Sequence, residues 1–142
     1  MSLQIGLSPD SAPAPVYATS LAAGCDLRST ANLAIAPGTV ALVPTGLKFK
    51  IPSGYCGMVC SRSGLAFQHQ VSVLNAPGII DADYRGEIKV ILFNHSTIRF
   101  EVNPGDRVAQ LLFVPVAQAV FNKDDWDQTA RGEGGFGSTG KC

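Results

Sequence analysis

The sequence predicts an all-β fold, a sandwich or barrel, from three observations. Turn signals recur along the chain at Pro37-Gly38, Pro52-Ser53-Gly54, Pro77-Gly78 and Asn103-Pro104-Gly105, and Gly and Pro end regular elements. Short runs rich in β-branched and apolar residues lie between these turns. One short segment alone has a helical pattern, too short to support a βαβ architecture. Several short strands at this spacing are typical of sandwiches and barrels.

Seven runs are predicted as strands from their β-branched content and their position between turns. In chain order they are residues 39–43, 47–51, 55–60, 71–74, 87–94, 99–102 and 107–115. Residues 63–70 are predicted to form a helical turn or two. After Phe121 the composition becomes polar and then Gly-rich, which predicts a tail that cannot pack a core of its own.

The composition fits one domain with extra surface buried between subunits. The chain has 142 residues, enough to bury a sizeable core without disulfides or a structural metal. Charged residues make up 15% of the chain, against roughly 25% in average soluble proteins, and the mean hydropathy is +0.18. Low charge with positive hydropathy favours an oligomer.

The balance of charge predicts neither a nucleic-acid partner nor a membrane partner. Lys plus Arg number 11 and Asp plus Glu number 11, so no global field steers the protein toward a polyanion. No run approaches the roughly 18 apolar residues of a membrane span, and the N-terminus lacks a signal-peptide pattern. We expect a soluble, intracellular protein, cytoplasmic or, in a eukaryotic source, nuclear.

The cysteines are predicted to be reduced thiols. Cys25, Cys56, Cys60 and Cys142 are scattered, and Cys56 and Cys60 would lie roughly 13 Å apart along one strand, too far to bridge. With two histidines in the chain and no Cys-x-x-Cys pair, a zinc site is not expected.

Residues 75–86 place two carboxylates and an aromatic side chain in a turn between strand candidates. A hairpin of this kind can present Asp81 beside a flat ligand, where a carboxylate polarises water and backbone groups read a base edge. An acidic turn with a packed Tyr84 explains the same residues, so the segment alone leaves both interpretations open.

Two further segments favour phosphate. Cys60-Ser61-Arg62-Ser63-Gly64 opens the helical candidate, and a helix N-terminus with an Arg attracts anions; a capping Ser with a solvated Arg is the alternative. Residues 135–141 match the first seven positions of the Walker pattern, but Cys142 replaces its Ser or Thr and no helix can follow, so a P-loop is not expected. The tail still offers Arg131, Ser138 and Thr139 as phosphate contacts and Phe136 as a ring that can stack on a base.

Two smaller segments each contain one polar residue of interest. Asp26 lies in Ala23-Gly24-Cys25-Asp26-Leu27, and Gln110 lies in Gly105-Asp106-Arg107-Val108-Ala109-Gln110-Leu111. Taken alone, Asp26 is equally consistent with a turn carboxylate, and Asp106 with Arg107 is consistent with a local ion pair.

In this order, five segments resemble the five motifs of the trimeric dUTP pyrophosphatase family: AGCDL, SRSGLA, NAPGIIDADYRGEI, GDRVAQL and RGEGGFGSTG. The resemblance spans nearly the whole chain. It implies a jelly-roll-like β-barrel or sandwich subunit over residues 1–121 and a flexible Gly-rich C-terminal arm over residues 122–142. It also implies a homotrimer with active sites shared between subunits. One departure is Cys25, where many relatives have Tyr.

The resemblance implies that the protein hydrolyses dUTP to dUMP and pyrophosphate, with Mg²⁺ as cofactor. Asp81 would activate the attacking water and Tyr84 would pack under the deoxyribose. The uracil base would be hydrogen-bonded by Asn75, Gly78, Ile79, Ile80 and Lys89.

The remaining implied contacts are to the phosphates and the metal. Arg62, Ser63 and Gly64 of a neighbouring subunit would clamp the phosphates, and Gln110 would contact the α-phosphate. Asp26 would reach Mg²⁺ through water only, because the phosphates and water supply most ligands. The arm would close over the site with Phe136 stacked on uracil and with Arg131, Gly137, Ser138 and Thr139 at the phosphates.

Three other functions are compatible with parts of the sequence. A dCTP deaminase of a related fold is the nearest enzymatic alternative, although such enzymes usually lack the RGxGGFGSTG arm. A non-catalytic nucleotide-binding jelly-roll module gives no reason for Asp81, Arg62 and Phe136 to coexist. A serine hydrolase built on Ser63 lacks the Gly-x-Ser-x-Gly elbow.

Overall fold

A computed structural model describes residues 3–124 and 127–135 of the chain. Eleven strands and one short helix are assigned in this part. They are β1 Gly6–Leu7, β2 Cys25–Arg28, β3 Leu33–Ile35, β4 Val40–Leu47, β5 Phe49–Lys50, β6 Tyr55–Cys60, α1 Ser63–His69, β7 Val71–Val73, β8 Gly78–Ile80, β9 Ile88–Asn94, β10 Phe100–Val102 and β11 Arg107–Pro115.

The strands pair antiparallel in two larger and two smaller sheets. One sheet has the order β2-β11-β6-β8 and the other the order β4-β9-β7, while β1 pairs with β5 and β3 with β10. Strands of the two larger sheets supply alternating buried side chains, as in β9, where Ile88, Val90 and Leu92 are buried. This period of two is the pattern of a sheet with one face on the core.

One hydrophobic cluster joins the sheets. Leu27 and Leu111 from one large sheet and Val43 and Leu92 from the other are fully buried members of the same core. The jelly-roll-like all-β fold is therefore confirmed. Within residues 3–124 and 127–135 the strands do not close into one barrel, because they divide into four separately paired sheets.

The predicted strands agree with the structure most closely where the apolar runs are long. β6 and β11 have the predicted bounds, and β7, β9 and β10 differ by one residue at one end. The helix ends at His69, and Gln70 adopts the left-handed conformation with φ 54° as its C-cap. Such a residue is common immediately after a helix, so the last turn stops there.

The predicted break at Pro44 was wrong, because β4 runs through it. Pro44 lies in β4, the edge strand of the sheet β4-β9-β7. A proline is tolerated on an edge strand, where its missing N–H costs no ladder bond. Four short strands, β1, β2, β3 and β8, were not predicted, since runs of two to four residues give too little periodicity to recognise.

Cys25, Cys56 and Cys60 are free thiols, as predicted, and Cys142 lies outside the described residues. Burial raises the pKa of the Cys25 thiol, and its hydrogen bond to the backbone acts in the opposite direction. The Cys25 side chain lies in the core and therefore packs as a small apolar group. Among the described residues, no helix has the length and apolar character needed to span a membrane.

Candidate functional site

A cavity of about 380 Å³ opens between β8 and β9, and we call it the β8–β9 cavity. Apolar side chains of the strands line it, namely Leu42, Ile79, Ile80, Ile88 and Ile91. Its polar lining residues are Asp81, Tyr84 and Glu87 before β9 and Lys89 within β9. Apolar walls with a few polar groups are typical of small-molecule sites.

The strands predicted on either side of residues 75–86 pair with each other antiparallel, as β7 and β9, but residues 78–80 of the predicted turn form the further strand β8. β8 pairs with β6, whereas β9 pairs with β4 and β7. β9 has a partner strand on each side and β8 lies at the edge of the other sheet, so the two strands stay apart with a cleft between them. The carboxylates lie in the turn that joins the strands, as expected.

Asp81 is held in a hydrogen-bonded turn directly after β8. The Tyr84 amide donates to the Asp81 carbonyl at 3.2 Å, and Arg85 donates to the carbonyls of Ala82 and Tyr84 at 2.7 and 2.8 Å. No hydrogen bond or ion pair joins the exposed Asp81 carboxylate to another side chain among the described residues. The turn is thus braced while its first carboxylate faces solvent.

Tyr84 lies across the backbone of the same turn. Its hydroxyl donates to the Glu87 carbonyl at 3.0 Å. A Cβ on Gly86 would lie 2.3 Å from the Tyr84 hydroxyl oxygen, a distance that real atoms do not tolerate. Gly86 therefore lets the hydroxyl end of the ring pack against the chain, with 45% of Tyr84 left exposed.

Asn75 and Gly78 lie at the start of β8. A Cβ on the buried Gly78 would approach Asn75 Nδ2 to 3.1 Å, so the amide of Asn75 covers the Gly78 backbone. Ile79 is 53% exposed and Ile80 is partly buried against the core. Gly78, Ile79 and Ile80 all pair with β6, and this pairing fixes the position of their backbone groups beside the cavity.

A second group of charged residues lies at the far end of β6; we call Asp26, Arg62 and Arg107 the arginine cluster. Arg62 Nε lies 3.3 Å and Arg107 Nη1 3.4 Å from the two Asp26 carboxylate oxygens. The Asp26 side chain is 13% exposed. Two guanidinium groups share one carboxylate, so the cluster keeps an excess positive charge that suits an anion.

Gln110 and the start of α1 adjoin the arginine cluster. Gln110 pairs with both Asp26 and Cys60 across neighbouring strands and donates to the Ser61 carbonyl at 3.0 Å. The α1 helix begins at Ser63, and its first intrahelical bond runs from Ala66 to Arg62. Ser63 and Gly64 are exposed, and a Cβ added to Gly64 would meet no atom, so their backbone is accessible.

The structure does not bring the cavity and the arginine cluster of one chain together. Ile80, next to Asp81, pairs with Gly57, whereas Arg62 follows Cys60 at the other end of β6. Cys60 lies three residue steps along β6 from Gly57, about 10 Å at ~3.3 Å per step, and Arg62 lies two residues farther. Arg62 also points toward Asp26 on β2, and two strands, β11 and β6, lie between β2 and β8.

The predicted arm residues fall mainly outside the described part of the chain. Phe136, Gly137, Ser138 and Thr139 are not among the described residues. Arg131 is described, and its Nε donates to the Gly134 carbonyl at 2.9 Å in a local turn. The described contacts do not join Arg131 to the cavity or to the arginine cluster.

Three residues near these sites were not predicted as functional. Arg107 completes the arginine cluster, Arg85 braces the Asp81 turn, and Glu87 lines the β8–β9 cavity. Arg107 was interpreted as a possible partner of Asp106, but Asp106 accepts from the Asn103 amide instead. The alternation Glu87-Ile88-Lys89-Val90 was the available signal for Glu87, since it puts Glu87 and Lys89 on one face.

The fold and these two sites define the class: an all-β, jelly-roll-like protein with a cavity beside a carboxylate and a separate cationic cluster. The chain matches the family model described as dUTPase over residues 10–140. The chain belongs to the dUTPase family.

Individual relatives cover almost the whole chain. A protein of Nautilia profundicola named deoxyuridine 5'-triphosphate nucleotidohydrolase is 49% identical over 142 residues, which is 99% of this chain and 100% of the relative. A protein of the same name from Chlamydia trachomatis is 52% identical over 132 residues, 90% of this chain and 91% of the relative.

A solved structure of the dUTPase of Staphylococcus bacteriophage 80alpha with dUPNHPP is 26% identical to this chain. It has a TM-score of 0.83 and covers 98% of each chain. The similarity extends over the full jelly-roll-like subunit.

Proposed function

We propose that the protein hydrolyses dUTP to dUMP and pyrophosphate, with Asp81 activating the water that attacks the α-phosphorus. The observation that carries the proposal is the Asp81 carboxylate, exposed in a braced turn at the β8–β9 cavity. A carboxylate in this position can orient a water and accept its proton. Relatives at 49% and 52% identity carry the name of this activity.

We infer that the β8–β9 cavity takes the uracil base. Backbone groups of Ile79, Ile80 and Lys89, which line the cavity, are the proposed hydrogen-bond partners. Gly78 and the Asn75 amide beside it, just before the lining residues in the chain, are proposed to add to them. A site matched to the uracil edge leaves buried groups unpaired when cytosine binds, which disfavours dCTP. The 5-methyl group of thymine is expected to clash sterically with the cavity, which disfavours dTTP.

Tyr84 is the residue proposed to distinguish deoxyribose from ribose. The hydroxyl end of its ring lies against Gly86 and is held by the bond from its hydroxyl to the Glu87 carbonyl. A sugar packed on a ring fixed in this way has no space for a 2'-hydroxyl on that side. UTP is therefore expected to be a poor substrate.

The arginine cluster is proposed to bind the triphosphate of a nucleotide whose base lies in the cavity of another subunit. Arg62, Ser63 and Gly64 would contact the phosphates and Gln110 the α-phosphate. Support comes from the separation along β6 of the cavity and the cluster within one chain. A homotrimer in which each site combines two subunits brings them together, and closed symmetry repeats that contact three times.

Exposed apolar side chains support the oligomer. Leu21, Phe67 and Phe121 are each at least 90% exposed in the subunit. Large apolar side chains in such numbers on a chain with 15% charged residues indicate surface that is covered by another copy.

Mg²⁺ is the proposed cofactor, held mainly by the phosphates and by water. Among residues 3–124 and 127–135 no group of three or more His, Cys, Asp or Glu side chains is placed to hold a metal ion. Asp26 is already shared between Arg62 and Arg107, which suits a contact through water rather than direct ligation. The ion would neutralise phosphate charge, as Mg²⁺ does with other nucleotide substrates.

The C-terminal arm, residues 122–142, is proposed to close over the bound nucleotide. Phe136 would stack on uracil, and Arg131, Gly137, Ser138 and Thr139 would donate to the phosphates. Closure excludes water and aligns the α-phosphorus with the nucleophile, as expected for in-line displacement without a covalent intermediate. The product dUMP would serve thymidylate synthesis inside the cell, in the cytoplasm or in a eukaryotic nucleus.

The test is pyrophosphate release from dUTP, dCTP, dTTP and UTP in the presence of Mg²⁺. We expect selective turnover of dUTP and a loss of about 10²-fold or more in kcat for Asp81→Asn, because the amide cannot accept the proton of water. Asp83→Asn is the matched control, since Asp83 is an exposed carboxylate in the same turn. Equal losses in the two variants would remove Asp81 from its proposed role.

Hydrolysis in ¹⁸O-labelled water distinguishes the point of attack. Attack at the α-phosphorus puts the label in dUMP, whereas attack at the β-phosphorus puts it in pyrophosphate. Ammonia release from dCTP would instead indicate a deaminase, and nucleotide binding without turnover would indicate a non-catalytic module.

A further inference from the structure

The edge strand β4 contains a bulge beside the β8–β9 cavity. Pro44 pairs with Lys89 and Leu47 with Ile88, so Thr45 and Gly46 are inserted opposite two consecutive residues of β9. An insertion of this kind leaves backbone groups of the ladder without their usual partners. Gly46 adopts φ +68°, the left-handed region that glycine tolerates.

Side chains replace the ladder bonds that the bulge breaks. The buried Thr45 hydroxyl donates to the Ile88 carbonyl at 2.5 Å. The Gly46 amide donates to Glu87 Oε1 at 2.8 Å. The Glu87 carboxylate therefore joins the beginning of β9 to the bulge of β4, residues that are 41 positions apart in the chain.

Glu87 also contacts the two polar residues that line the cavity nearest to it. Its carbonyl accepts the Tyr84 hydroxyl at 3.0 Å, and its Oε2 lies 3.8 Å from Lys89 Nζ. The Glu87 side chain is 28% exposed. One residue thus bonds to the bulge through its side chain and to Tyr84 through its backbone.

The N-terminal segment holds Gly46 through its carbonyl group, whereas Glu87 holds it through its amide. The Ala12 amide donates to the Gly46 carbonyl at 2.7 Å, and a Cβ on Gly46 would lie 3.1 Å from Ala12 Cβ. Lys48 pairs with Asp10 of the same segment at 2.5 Å. Glu87 therefore bonds to a backbone group that is fixed from both sides.

We propose that Glu87 is a positioning residue that sets the Tyr84 ring, and through it the preference for deoxyribose over ribose. The inference rests on the proposed function, since it assigns a cause to the selectivity of that site. When the carboxylate is removed, the Gly46 amide loses its partner and residues 84–87 are free to shift. Tyr84 then moves with the Glu87 carbonyl that holds it.

Two substitutions separate the hydrogen bond from the charge. Glu87→Gln keeps an oxygen that accepts from Gly46 but loses the charge beside Lys89, whereas Glu87→Ala loses both. We expect the ratio of kcat/KM for dUTP to that for UTP to fall at least about fivefold in Glu87→Ala. In Glu87→Gln we expect it to stay within about twofold of wild type.

A comparably weakened variant tests whether lower stability alone changes the ratio. Val102→Ala removes buried methyl groups from β10 and touches neither the cavity nor the bulge. We expect it to lower the unfolding midpoint without changing the dUTP to UTP ratio. A change in Val102→Ala equal to that in Glu87→Ala would overturn the proposal, as would an unchanged ratio in Glu87→Ala.

Amide hydrogen exchange at Gly46 gives a readout that needs no substrate. We expect exchange at least about tenfold faster in Glu87→Ala than in wild type, with protection retained in Glu87→Gln. Unchanged exchange in Glu87→Ala overturns the positioning role. Wild-type protein with no preference for dUTP over UTP would instead overturn the proposed function, so the two failures are distinguishable.

Discussion

At Gly86 the structure leaves no room for a side chain, because the Tyr84 ring occupies that space. The atoms nearest to an added Cβ are the Tyr84 hydroxyl oxygen at 2.3 Å and Cζ at 2.5 Å. The conflict is with a ring that is itself bonded to the Glu87 carbonyl. A substitution at Gly86 must therefore displace Tyr84 or distort the turn.

For this reason Gly86→Ala is expected to reduce the preference for dUTP over UTP by about tenfold or more, through displacement of the ring. Tyr84→Phe keeps the ring and removes only the hydroxyl bond that holds it, so it is expected to lower the preference less than Gly86→Ala does. Steady-state kinetics with both nucleotides measure the effect. A Gly86→Ala enzyme with wild-type selectivity would show that the ring position does not determine the choice of sugar.

Asp10 and Lys48 tie the N-terminal segment to the chain between β4 and β5. The hydrogen bond from Lys48, and then that from Ser8, lower the pKa of the Asp10 carboxyl from 3.8 to about 2. Because the folded pKa lies below the ordinary value, the pair stabilises the segment above pH ~3.8, and that contribution is lost as the pH falls toward 2.

An NMR titration of the side-chain carboxyl carbons checks this behaviour. We expect the Asp10 midpoint near pH 2 in the wild type and its return toward 3.8 in Lys48→Gln, since the neutral amide removes the cation. A midpoint near 3.8 in the wild type would mean that the ion pair is not formed in solution.

Strand β11 lies inside the four-stranded sheet and joins β2 to β6. It pairs with β2 on one side and with β6 on the other, and Leu111 lies opposite Cys25 and Val59. All three residues are buried. β11 also carries Gln110 and Arg107, so the packing of Leu111 holds the strand that presents both to the arginine cluster.

Leu111→Ala is therefore expected to lower the free energy of unfolding by about 2–5 kcal/mol, the usual cost of such a cavity in a tightly packed core. Glu101→Ala, at a side chain 56% exposed in the subunit, is the control, with an expected change within about 0.5 kcal/mol. Urea denaturation at one protein concentration compares the two. Similar losses would show that burial within the subunit does not determine how much each substitution lowers the free energy of unfolding.

For the whole molecule, the separation between the β8–β9 cavity and the arginine cluster has a direct consequence. We propose that an active site made of both combines two chains, one contributing Asp81 and the other Arg62. The separation follows from the sheet order β2-β11-β6-β8, in which the cluster bonds toward β2 and the cavity lies beyond β8.

Mixed assemblies of two inactive variants test the shared site. When Asp81→Asn and Arg62→Ala chains are unfolded together and refolded in equal amounts, about one site in four combines an intact Asp81 with an intact Arg62. We expect about a quarter of wild-type activity to return, while each variant refolded alone stays inactive. No recovery in the mixture would place both residues in a single chain.

The sequence predicted the elements that are determined by long apolar alternation. β6 and β11 have the predicted bounds, and the helix begins at Ser63 as expected. The turn containing Asp81 and Tyr84 was also recognised, since its residue types favour a turn wherever they occur. Roles assigned to individual site residues, including Asp81 and Arg62, stay predictions that the experiments above test.

By itself, then, the sequence determined the all-β class, the order of the motifs and the residue types available for chemistry. Only the tertiary structure decided that β8 pairs with β6 rather than with β9, that Asp26 lies between Arg62 and Arg107, and that Glu87 bonds to Gly46. The physical reason is that local periodicity specifies which face of a strand is buried. The neighbour and register of each strand depend on packing between residues far apart in the chain.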